Sequence, residues 1–69
     1  MSAVIDGIFD VVAEVIDNPK IKDKSNALVP LLQQYMALMV VNHKSFDEIM
    51  DGWNNRLAEI AKARGLVLK

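Results

Sequence analysis

The chain has 69 residues, of which 52% are hydrophobic and 25% charged, with a formal net charge of −1 and no cysteine. That charge excludes a general electrostatic pull toward nucleic acid or anionic membrane, and the missing thiols exclude disulfide staples. A single domain of this size buries only roughly 60% of the surface its unfolded chain exposes, so it needs another source of stability. Metal ligation is disfavoured, because His43 is the sole histidine and no carboxylates fall at ligand spacing. Oligomerisation remains, and it agrees with the high hydrophobic content.

The first predicted element is a helix over 2–17. Asp6, Asp10 and Glu14 recur every four residues and align along one stripe. Val4, Ile5, Ile8, Phe9, Val11, Val12, Val15 and Ile16 fill most of the remaining circumference. A strand would place the three acids on one face with Ile8 and Val12, so the spacing decides for helix. Asn18-Pro19 ends it, since a residue before proline is pushed out of the helical region. A lysine-rich connection follows in 18–24, in which Ile21 is the one side chain expected to dock.

The second helix is expected over about 26–42, capped by Ser25 or Asp23. Ala27–Val41 reads ALVPLLQQYMALMVV, with Gln33 and Gln34 its only strongly polar side chains. A helix apolar nearly all round is covered by something, and two other segments in so short a chain are too few. Pro30 lacks an N–H and is tolerated only in a first turn, so regular helix is expected from about Pro30 onward. Gln33 and Gln34 are candidates for fixing the register of an apolar interface, with Tyr35 beside them.

The third helix, over 46–64, has the clearest signals. Ser45 and Glu48 match a capping box, and Gly65 stands where a left-handed cap belongs, with Leu66 placed to fold back. Phe46, Met50, Trp53, Leu57 and Ile60 are spaced 4-3-4-3, giving one apolar face. Gly52 within this helix costs about 1 kcal/mol relative to alanine, and a close helix approach would account for it. The tail Leu66–Lys69 is apolar and expected to dock.

These elements predict an all-α, three-helix protomer packing into a homo-oligomeric helical bundle. Its expected oligomer interface comprises Ile8, Val12, Leu31, Tyr35, Met36, Leu38 and Met39. For a second protein, the candidate contacts are Trp53, Asn54 and Arg56, since Trp and Arg are enriched at hot spots, together with the acidic residues Asp6, Asp10 and Glu14. No nucleophile–base or paired-carboxylate arrangement supports an enzyme, and no cofactor is implied. The expected function is a non-enzymatic adaptor, inhibitor or assembly subunit, of the kind encoded by phage or mobile-element accessory genes. A helix-turn-helix DNA reader is the alternative, but the first turns of its recognition helix would carry Asp47, Glu48 and Asp51 against phosphate. A membrane-active protein is the other, although no apolar run reaches the roughly 18–20 residues of a span. With no basic leader before the first apolar segment, a cytoplasmic location is expected.

Overall fold

A computed structural model describes residues 2–66, which form three helices: α1 (Ser2–Asp17), α2 (Lys24–Val41) and α3 (Phe46–Ala63). Side-chain contacts set their directions. Asp6 reaches Arg56 and Asp17 reaches Arg64, so α1 and α3 run parallel. With short connections of 18–23 and 42–45 joining it to these parallel helices, α2 runs back between them in chain order.

α1 and α3 occupy the spans read from sequence to within a residue, whereas α2 begins earlier than expected. Asp23 caps it, accepting from the Asn26 N–H at 3.0 Å, and helix starts at Lys24, six residues before Pro30. The proline is therefore interior. It leaves the Asn26 carbonyl without its usual i+4 donor, and its ring lies on the exposed side of the helix. Upstream, Lys24 Nζ donates to the Asn18 and Ile21 carbonyls at 2.9 Å each, tying the connection to the helix start.

The other ends obey local chemistry. Ser45 Oγ accepts from the Glu48 N–H at 3.2 Å while the Ser45 N–H donates to Glu48 Oε1 at 3.3 Å, completing the capping box. The Ser45 hydroxyl also donates to Glu48 Oε1 at 3.0 Å, and this bond, followed by that of the Ser45 N–H, holds the Glu48 carboxyl below its ordinary pKa. After α3, Leu66 N–H reaches the Ala61 carbonyl at 2.9 Å and Gly65 N–H reaches Lys62 at 3.0 Å, with Gly65 at φ 70°. This is a Schellman closure. α2 ends the same way: His43 N–H meets Val40 and Lys44 N–H meets Met39, at 2.9 and 3.3 Å. Here the left-handed residue is His43, at φ 59°, rather than a glycine.

The core lies where the three helices meet. Ile8, Phe9 and Val12 from α1, Tyr35 from α2, and Ile49, Trp53 and Ala61 from α3 are buried. Phe9, Tyr35 and Trp53 form an aromatic trio with ring centroids 5.3–5.7 Å apart. Each such pair adds about 0.5–1.5 kcal/mol beyond its area. Gly52 belongs to this arrangement: the Tyr35 ring approaches it so closely that a Cβ there would stand 3.6 Å from Cζ and collide with the hydroxyl. The close approach is made by a side chain of α2 rather than by its backbone.

Candidate functional site

The aromatic core assigns several interface candidates to the interior of one protomer. Ile8, Val12 and Tyr35 are buried, Tyr35 to 4% exposure, and Leu31, Met36, Leu38 and Met39 pack half-buried against them. Within one protomer these side chains are turned toward the core, and the protomer itself covers most of their surface. Trp53, at 5% exposure, also faces inward and offers little surface to a partner. Asn54 beside it is exposed.

Arg56 and Asp6, both expected to meet a second protein, meet each other: Arg56 Nη2 lies 3.2 Å from Asp6 Oδ1. The guanidinium also sits over the Phe9 ring, 4.5 Å from its centroid, so it closes one edge of the aromatic trio. Toward the other end of α1, Arg64 grips Asp17 with two bonds, Nε to Oδ1 at 2.6 Å and Nη2 to Oδ2 at 3.0 Å. The Arg64 hydrogen bond holds the Asp17 carboxyl below its ordinary pKa, and Asp17 in turn raises Arg64. Asp6 of the acidic stripe and Asp17 beyond it thus fasten α1 to α3. Asp10 and Glu14 stand exposed between the two ion pairs.

The unfinished surface belongs to α2. From Ser25 to Asn42 the sequence carries no charged side chain, and Tyr35 is the only residue of the helix that is fully buried. On the side away from Tyr35, Asn26, Pro30, Gln33, Ala37 and Val40 are all exposed. Their 4-3-4-3 spacing places them on one helix face. Val29, at 44%, and Val41, at 71%, flank this stripe.

Two apolar hollows border it. One, of about 320 Å³, is lined by Val4 and Ile8 of α1 with Gln34, Ala37 and Leu38 of α2. The other, of about 190 Å³, lies between α2 and α3 and is lined by Ser25, Leu28, Val29, Leu32, Trp53 and Leu57. Val4 of the larger hollow is itself exposed, as are Val11 of α1 and Phe46 at the start of α3. Reading α2 as apolar all round concealed this stripe. The signal that could have found it was the second heptad phase, 26-30-33-37-40, opposite Tyr35.

The side chains lining this surface are apolar or neutral. Among the described residues, no group of three or more His, Cys, Asp or Glu side chains is placed to hold a metal ion. No helix among them is long and apolar enough to cross a membrane. Where α3 would enter a DNA groove, it presents Asp47 and Asp51 to solvent. The expected docking of Val67–Lys69 lies outside the described residues. No family model matches the chain, and no curated protein or solved structure matches it either.

Proposed function

We propose that this chain is a non-enzymatic protein-binding module whose first partner is a second copy of itself. The supporting observation is the exposed, uncharged outward face of α2, continuous with apolar side chains of α1. Surfaces of that kind mark interaction sites on small proteins. The assembled form then serves as an adaptor, inhibitor or structural subunit, and the exposed side chains Asp10, Glu14 and Asn54 are left free to meet a larger protein.

Absolute mass by light scattering over a dilution series tests the reading. Wild-type protein is expected as a multimer at micromolar concentration. Ala37→Glu is expected to be monomeric with an unchanged far-UV spectrum, because Ala37 is exposed and glutamate suits a helix. A wild-type monomer at every concentration would overturn the proposal.

A further inference from the structure

Resting on that self-association, we infer its geometry: two α2 helices pack antiparallel about a twofold axis at Gln33. The stripe Asn26–Pro30–Gln33–Ala37–Val40 is the seam, and its occupant is the same stripe of a second copy.

Three observations lead there. First, a twofold contact brings a surface against itself, so any charge near the axis meets its own sign. This seam carries none. Its central polar side chain is an amide, with both donor and acceptor, so Gln33 pairs with Gln33 of the partner subunit at the axis, while Asn26 at the end of the seam stays open to water.

Second, the polar group sits mid-helix. Gln33 is the tenth of eighteen residues in α2. An axis there lays Asn26 opposite the partner's Val40 and brings Pro30 near the partner's Ala37. The whole stripe then engages over about 21 Å, at 1.5 Å per residue. Ala37 is small, which leaves room for the partner's Pro30 ring.

Third, the charges at the two ends of α2 select the direction. Lys20, Lys22 and Lys24 stand against Asp23 at its start, whereas Asp47 and Glu48 stand against Lys44 just past its end. Parallel helices would press the two lysine groups together. Antiparallel ones set each lysine group beside the partner's acidic end and also oppose the helix dipoles.

A protein without cysteine permits a clean test. Single-cysteine variants Q33C, N26C and V40C would be oxidised with copper and air, alone and in mixtures, and resolved on non-reducing gels beside light scattering. All three sites are exposed, so the fold should tolerate them. Q33C is expected to crosslink to itself. N26C and V40C are expected to crosslink only when mixed with each other, since bridged Cα atoms must lie within about 7 Å.

Self-crosslinking of N26C or V40C as efficient as that of Q33C would show a parallel pair and overturn the inference. Dimer mass without crosslinking at any site would also overturn it, moving the interface off this seam while self-association stands. Monomer mass throughout would remove both.

Discussion

Helices α2 and α3 have the same length, 18 residues, and share a hydrophobic core, yet their outer faces differ completely. α3 turns Asp47, Asp51, Asn54, Asn55, Glu59 and Lys62 to solvent. α2 turns out Asn26, Pro30, Gln33, Ala37 and Val40, with valines beside them. A helix finished for water on one side and for the core on the other needs no further partner. α2 instead exposes an uncharged outer face, and that contrast singles it out.

Substitutions that separate the inner and outer faces can break or sharpen this contrast. The largest effect is expected at the inner face of α3. Trp53→Ala should destabilise the fold by about 3–5 kcal/mol, as for other buried aromatic truncations, read by thermal or urea denaturation. A folded variant with altered oligomer mass would instead mean that Trp53 belongs to an interface, and the division between the two helices would fail.

Gly52→Ala comes next. Its added methyl meets the Tyr35 hydroxyl, so a cost of about 1–3 kcal/mol is expected from overpacking, despite alanine's better helix propensity. Adding Tyr35→Phe removes the clashing oxygen and should return most of the loss. Equal instability of the single and double variants would show that the collision is not the cause.

A smaller change of opposite sign is expected at the junction of the two helices. His43 occupies a left-handed conformation that costs a side-chain-bearing residue roughly 1–2 kcal/mol. His43→Gly should therefore raise stability by up to about 1 kcal/mol, glycine's extra unfolded-state freedom offsetting part of the gain. An unchanged or lower melting temperature would contradict the strain.

Smallest of all is the acid response. The folded Asp17 carboxyl has a lowered pKa, so its contribution is present above the unfolded value, ordinarily near 3.8, and disappears as pH falls through the folded one. Stability should decline slightly in that acid window, and Arg64→Ala should remove the Asp17 part of the decline. Because Asp17 and Arg64 are solvent-exposed, the effect is small. A response identical in Arg64→Ala would mean that other carboxylates dominate.

Features written in local chemistry were legible from sequence. Ser45 and Glu48 announce a capping box whatever lies around them, and Gly65 closes α3 as its position requires. The four-residue spacing of Asp6, Asp10 and Glu14 identified α1 without tertiary information. What escaped was direction and pairing. Pro30 suggested a late start to α2 because the competing strength of the Asp23 cap could not be weighed beforehand. Tyr35 and Trp53 look equally at home in a core or an interface, and only the placement of Phe9 between them decides. Arg56 with Asp6, fifty residues apart, cannot be matched by any local rule. Nor does a continuous apolar run reveal which of its two heptad phases faces inward.

The aromatic trio has a practical consequence. Trp53 and Tyr35 are the chain's only tryptophan and its only tyrosine, and their rings lie 5.7 Å apart in the buried core. Excitation of the phenol passes readily to the indole at that distance, and the indole emits from a dry environment at short wavelength. Unfolding separates the pair and shifts the emission to the red. Copies joined through the far side of α2 leave both rings where they were. The molecule thus carries an intrinsic optical reporter of its own folding, one that the proposed self-association would not disturb.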